Sequence, residues 1–261
     1  MPGRSDPASP TSRDSIELFS ARARDYAQFR PVYPEALFDW LAQHCKATEA
    51  ALDIGAGSGQ ACLPLQRHFR RVLACDASAQ QLTAAAPWQS VERFVADAEQ
   101  LPIRDARLDL IVVAQALHWF AAPSFFAQAR RALKPGGLFC AWCYSLLQID
   151  PALDDIVHKL HGETLAGYWP AGRASVDAGY RDIHPPFARL PVPPFAIEAN
   201  WRFDQLIGYL RTWSAVTKWQ QTHGLDPIAT IEQPLREAWG DEQTLRPIRW
   251  PLHFLAGYPV Q

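Results

Sequence analysis

The sequence predicts a doubly wound, Rossmann-like α/β fold. Its sheet has seven strands, mostly parallel with an antiparallel last hairpin, and a helical, aromatic-rich lid is inserted after strand five. Three observations carry this. Short β-like runs alternate with helical ones from about residue 34 to 150. Residues 108–114 are nearly all apolar, as a central parallel strand covered on both faces requires. The first strand runs into a glycine turn, Gly55-Ala56-Gly57-Ser58-Gly59, after which a helical pattern begins.

Each element has a local reason. Pro34 suits the first turn of a helix, and Leu37, Trp40, Leu41 and Cys45 follow at helical spacing. Residues 50–54 read as a buried strand and 60–69 as a helix. A strand over 72–75 precedes a helix to Ala86 capped by Ser78, and a third strand covers 92–96. After the central strand comes a helix over 123–133. Lys134-Pro-Gly-Gly137 signals a turn before strand five, 138–144. Beyond Ser145 the rhythm changes. Asp150-Pro151 starts a helix to about Ala166, and 167–194, rich in Pro, Gly and aromatics, resembles a lid more than sheet. A sixth strand over 195–203, helices over 203–217 and 228–239, and a closing strand over 246–256 complete the chain.

The 261 residues are 48% hydrophobic and 20% charged, enough apolar material for a full core. A net charge of −2 without a Lys/Arg run gives no reason to expect nucleic acid, and no apolar run approaches the roughly 18 residues that span a bilayer. The opening MPGRSDPASPTSRDS has no apolar h-region, so 1–15 reads as a disordered lead-in rather than a secretory signal. Five scattered cysteines fit reduced thiols in the cytoplasm. Cys140 and Cys143 have C-x-x-C spacing, but strand positions three apart face opposite sides, so no metal is expected there. Six of the ten tryptophans follow residue 144, either packing the insertion or walling a concave pocket.

The glycine turn departs from the dinucleotide fingerprint G-x-G-x-x-G. Its third glycine comes one place early and position 60 is Gln. Acids stand at three successive strand ends: Asp53, Asp76 and Asp97. Like charges so placed make a poor pyrophosphate site. They suit a ligand with a cationic amino acid portion, a ribose diol and an adenine amine, and S-adenosylmethionine has all three.

The stretches LDIGAGSG, CDAS, FVADAEQLP, LDLIVVAQALHWF and ALKPGGLF resemble the successive motifs of class I S-adenosylmethionine-dependent methyltransferases of the type 11 group. FSARARDYAQFRPVYP, YWPAGRASVDAGY and LRTWSA resemble a subset similar to trans-aconitate methyltransferases. The resemblance implies that Gly55, Ala56, Gly57 and Gly59 carry the methionine portion of the donor and that Asp76 binds its ribose. Ala77 or Ser78 then lies beside the adenosine, Asp97 with Ala98 binds the adenine edge, and Gln115 approaches the sulfonium. Tyr26 and Arg30 close over the methionine carboxylate, a task suited to the bidentate fork of arginine. The chain then divides into the lead-in (1–15), a cofactor-binding core with an N-terminal helical cap (16–144), the lid (145–194) and a C-terminal part completing sheet and substrate pocket (195–261).

The acceptor is less defined. His118, after strand four, is placed to act as a base, to hydrogen-bond a substrate oxygen, or to serve structure alone. Trp119 either lines the pocket and faces the sulfonium or packs in the core. The Asn/Asp-Pro-Pro-Tyr/Phe pattern of amino-group methyltransferases is missing at that strand end, and no Pro-Cys dipeptide is present. The expectation is a small-molecule acceptor, a carboxylic acid among the candidates, with no nucleic-acid or membrane partner and an open oligomeric state. A non-catalytic donor-binding protein and an NAD-type oxidoreductase are the alternatives.

Overall fold

A computed structural model describes residues 32–84 and 90–260. The lead-in, most of the N-terminal cap, Tyr26 and Arg30 lie outside the described residues.

The elements, in order, are α1 (Glu35–Gln43), β1 (Ala50–Ile54), α2 (Cys62–Leu65), β2 (Arg71–Asp76), α3 (Ala79–Ala84), β3 (Val91–Val95), β4 (Leu108–Ala114), α4 (Pro123–Ala132) and β5 (Leu133–Tyr144). Then follow α5 (Pro151–Lys159), α6 (Arg173–Asp177), β6 (Phe187–Arg189), β7 (Ala196–Trp201), α7 (Phe203–Arg211), α8 (Ser214–His223), α9 (Ala229–Trp239) and β8 (Arg246–Pro259). The sheet runs β3-β2-β1-β4-β5-β8-β6, with β7 paired to β8. From β3 to β5 every pairing is parallel, whereas β8 is antiparallel to β5, β6 and β7.

The sheet separates two core layers. Alternate residues of β5 divide between them: Cys140, Trp142 and Tyr144 face α1, α5 and α7, while Phe139, Ala141 and Cys143 face α4. The two cysteines of the C-x-x-C pair therefore point to opposite sides. β1 is buried throughout and β4 in all but its last residue, as parallel strands covered on both faces should be. Ser78 caps α3 by accepting from the Gln81 amide at 3.3 Å, and Asp150 caps α5 by accepting from Ala152 and Leu153.

The doubly wound class holds, with four local departures. The sheet has eight strands rather than seven, because Phe187–Arg189, inside the segment expected to be lid, pairs with the end of β8. β5 begins at Leu133. The Lys134-Pro-Gly-Gly137 turn is absorbed as an irregularity in the β4–β5 register, with Gly136 at φ +79°. α2 spans four residues instead of the expected ten; turns flank it on both sides. The helix expected over 203–217 is two helices. At their junction the Thr212 hydroxyl bonds the Tyr209 carbonyl at 2.6 Å and Trp213 turns extended, so local side-chain bonding ends α7.

Candidate functional site

The strand order reverses between β1 and β4, and at such a switch point the loops leaving adjacent strands separate and open a crevice. A cavity of about 390 Å³ lies there, against the turn after β1, the ends of β2 and β4, and residues 96–99. The glycine turn is its floor. The Gly55 and Ala56 amides both donate to the Cys75 carbonyl, at 2.9 and 3.0 Å, which folds the turn back onto β2. Gly55 has φ +69°, and a Cβ there would stand 2.6 Å from the Ala116 Cβ. Only glycine lets the turn lie this close to the loop after β4.

Four acids line this cavity, Asp53, Asp76, Asp97 and Glu99, with no basic side chain among the described residues. Asp53 is 1% exposed. Its Oδ2 accepts from the Cys62 thiol at 3.1 Å, and its Oδ1 is buried without a partner among the described residues. Burial is the main cause that pushes its pKa up to about 7, with the nearby Asp76 charge adding to it. Asp76 is raised too, by burial, against amide hydrogen bonds that oppose the shift. Its Oδ2 accepts from the Gly57 amide at 2.9 Å and its Oδ1 from the Ser78 amide at 2.8 Å, so this acid also builds the turn. Each carboxylate oxygen has a second lone pair, which leaves Asp76 capacity for two ligand hydroxyls. Asp97 Oδ1 accepts from the Glu99 amide at 2.8 Å. Unneutralised acids, one with an orphaned oxygen, disfavour a pyrophosphate and fit a ligand that brings its own positive charge.

Gln115 follows β4 in the left-handed region, φ +57°. Its amide donates to the Trp142 carbonyl at 2.9 Å and its Oε1 accepts from the Tyr144 amide at 3.1 Å. With Trp119 and Tyr144 it forms a wall shared with a second, smaller cavity of about 90 Å³. Trp169, Arg173, Tyr209 and Trp213 line that second space, as does His118. Gly172 makes the approach possible, since a Cβ there would meet the His118 Cδ2 at 2.7 Å. His118 Nδ1 lies 3.2 Å from the Tyr180 hydroxyl. Burial, helped by the Arg173 charge, drives its pKa down to about 3, so it is neutral near pH 7.

Every proposed donor-site residue among the described ones lines the first cavity except Gly59, which shapes the turn from behind with φ +79°. Trp119 is 37% exposed and stands between the cavities, so it is not a core residue. Of the six late tryptophans, Trp169 and Trp213 reach the second cavity. Trp201, Trp239 and Trp250 are buried in the core, and Trp219 packs against it. Sequence reasoning missed Tyr33, Glu99 and Tyr144 in the larger cavity and Arg173 and Tyr209 in the smaller. The residues 33 and 173 lie inside stretches that carry the family resemblance, which was the available signal; Tyr209 had none beyond helical spacing.

A methyltransferase-domain family matches residues 52–141, the segment holding the glycine turn and β1 to β5. A candidate methyltransferase of Dictyostelium discoideum is 30% identical over 254 residues, covering 94% of this chain and 96% of its own. The solved structure of a candidate type II methyltransferase from Anaeromyxobacter dehalogenans superposes with a TM-score of 0.83 at 42% identity, over 88% of this chain and 99% of that one. A Saccharomyces cerevisiae relative named as an S-adenosylmethionine-dependent methyltransferase is 31% identical over 145 residues, 52% of this chain and 48% of its own. The alternatives of hydride transfer and of a non-catalytic binder give way to these likenesses, which agree with the acid-lined cavity: the chain belongs to the class I S-adenosylmethionine-dependent methyltransferases.

Proposed function

We propose that the protein transfers a methyl group from S-adenosylmethionine to a carboxylate oxygen of a small organic acid, in the cytoplasm. The donor lies in the larger cavity. Asp53 faces its cationic amino acid end above Gly55, Ala56, Gly57 and Gly59. Asp76 takes the ribose diol with Ala77 alongside, Asp97 and Ala98 take the adenine edge, and Gln115 meets the sulfonium side. Tyr26 and Arg30 close over the methionine carboxylate. Bound there, S-adenosylmethionine supplies a methyl group on a sulfonium, and its transfer to a carboxylate moves the C–S electron pair to sulfur without any proton changing hands.

The observation that carries the acceptor assignment is His118. It is the imidazole of the second cavity, and a group with a pKa near 3 does not take a proton from an alcohol or a carbon acid. No carboxylate lines that cavity among the described residues. A nucleophile that arrives already anionic needs no base. The work left to the protein is alignment and exclusion of water, which can supply roughly 7–11 kcal/mol of a barrier. Trp119 and Tyr144, on the shared wall, are placed for it. The segment 145–194 gives Trp169 and Arg173 to the second cavity, and 195–261 gives Tyr209 and Trp213, in keeping with a lid and a pocket-completing part. The stretches that resemble trans-aconitate methyltransferases, YWPAGRASVDAGY and LRTWSA, contain three of these four residues.

Calorimetry should show S-adenosylhomocysteine binding and NADH not binding. Asp76→Ala should weaken the former by about 10²-fold, two charge-assisted hydrogen bonds being worth roughly 1.5–3 kcal/mol each. A screen of carboxylic acids, phenols and amines with labelled donor should give esters. Transfer only to phenols or amines would overturn the acceptor class, and unchanged affinity in Asp76→Ala would overturn the ribose assignment.

A further inference from the structure

Arg173 is the one described side chain of permanent charge lining the second cavity. It is held on two sides. Its Nε donates to Asp177 Oδ1 at 2.7 Å, and its guanidinium carbon lies 4.4 Å from the centre of the Trp169 ring. Trp169 is itself fixed: its Nε1 donates to the His161 carbonyl at 3.0 Å, and its ring centre lies 4.5 Å from that of His161 and 5.5 Å from Trp213. Arg173 is 22% exposed. Its terminal nitrogens make no hydrogen bond among the described residues, so the ion pair with Asp177 uses only the Nε edge and leaves the fork unspent. An arginine held on two sides with its fork unpaired among the described residues, at the wall of a small aromatic cavity, is arranged for a planar anion.

Its place adds a constraint. Gln115, Trp119 and Tyr144 line both cavities, whereas Arg173 lines only the second. The accepting atom has to reach the shared wall. A carboxylate gripped by both Nη groups of Arg173 has both its oxygens occupied by charge-assisted hydrogen bonds, which makes them poor nucleophiles. We infer that Arg173 anchors a carboxylate of the acceptor other than the one that is methylated, so the favoured acceptors are short dicarboxylic acids. The inference rests on the proposed role of the second cavity as the acceptor site, and it makes Arg173 a specificity determinant rather than a catalytic residue.

The test is equilibrium binding, independent of turnover. Short straight-chain dicarboxylates and their half-amides are titrated into the protein saturated with S-adenosylhomocysteine, read by calorimetry and tryptophan fluorescence. The wild-type protein should bind the diacids at least tenfold more tightly than the half-amides. Arg173→Gln should lose about 10- to 100-fold on the diacids and little on the half-amides, and Arg173→Lys should recover part of the loss. S-adenosylhomocysteine affinity, which does not involve Arg173, reports whether a variant is folded; if Arg173→Gln fails that check, Arg173→Lys against wild type carries the comparison. Absent diacid binding, or equal binding by wild type and variant, overturns the inference. Selective binding of diacids that are never methylated leaves the anchor standing and overturns the proposed O-methylation instead.

Discussion

The two cavities meet at three residues, yet they are built from different materials. The larger is made by backbone: a glycine turn folded onto β2, amides that fix Asp76, and acids standing where parallel strands end. The smaller is made by side chains from the loop after β4, the start of α6, the end of α7 and the α7–α8 junction. A donor common to a whole family can be held by backbone geometry that any sequence of the fold reproduces. An acceptor has to be told from other small molecules, and side chains do that.

If this contrast is right, the largest effect should come from one methyl group on the backbone-built side. Gly55→Ala places a Cβ 2.6 Å from the Ala116 Cβ and asks alanine to hold φ +69°. The left-handed conformation costs about 1–2 kcal/mol and overpacking typically about 1–3 kcal/mol. The turn should shift, lowering the folding free energy by about 2–5 kcal/mol in urea titrations and S-adenosylhomocysteine affinity by 10²-fold or more. Trp169→Ala, on the other side, should leave that affinity within about threefold. Equal losses in the two variants would erase the distinction between the cavities.

The same contrast explains what could be read in advance. β1, β4 and the glycine turn announce themselves by composition and spacing, and the acids Asp53, Asp76 and Asp97 by their distance from each strand, because the lining of the larger cavity follows the parallel half of the sheet strand by strand. Arg173 and Tyr209 were not legible. They come together only when the chain after β5 folds back across the end of β4, a long-range packing event with no local period. β6 escaped for a related reason. Its three residues are a strand only because β8 offers an edge, and nothing in Phe187-Ala-Arg189 marks it beforehand. α7 and α8 were fused because their apolar spacing continues through Thr212, and the hydroxyl bond that ends α7 has no hydropathic signature.

A middle-sized effect should follow from Asp53. Its carboxyl is raised to about 7 by burial, so the stability it contributes in its protonated form is present below its ordinary value and lost as pH rises through about 7. Asp76 is raised in the same sense. The ammonium group at the amino acid end of S-adenosylhomocysteine, set beside Asp53, favours the ionised carboxylate, so binding below pH 7 must expel a proton. S-adenosylhomocysteine affinity should fall by up to tenfold for each pH unit below 7. Calorimetry at pH 6 in two buffers of unequal ionisation enthalpy should show release approaching one proton per ligand. Asp53→Asn should abolish most of that release, whereas release unchanged in the variant would assign the proton to Asp76.

The smallest effect is expected where sequence reasoning looked for a catalyst. A general base contributes about 10²–10⁴-fold, and its loss is unmistakable. His118 is held by Tyr180 on one side, pressed by Gly172 on the other, and kept neutral by burial and the Arg173 charge. His118→Gln should therefore lower the methyl-transfer rate by less than about tenfold, through small changes in the cavity wall. The wild-type rate should show no inflection between pH 5 and 8 that the variant removes, because a group with a pKa near 3 does not titrate in that window. A loss above 10²-fold, with such an inflection vanishing in the variant, would make His118 a base after all and replace the carboxylate acceptor with one that must be deprotonated. The second cavity would then do proton chemistry as well as recognition, and its side-chain construction would serve reactivity alongside selectivity.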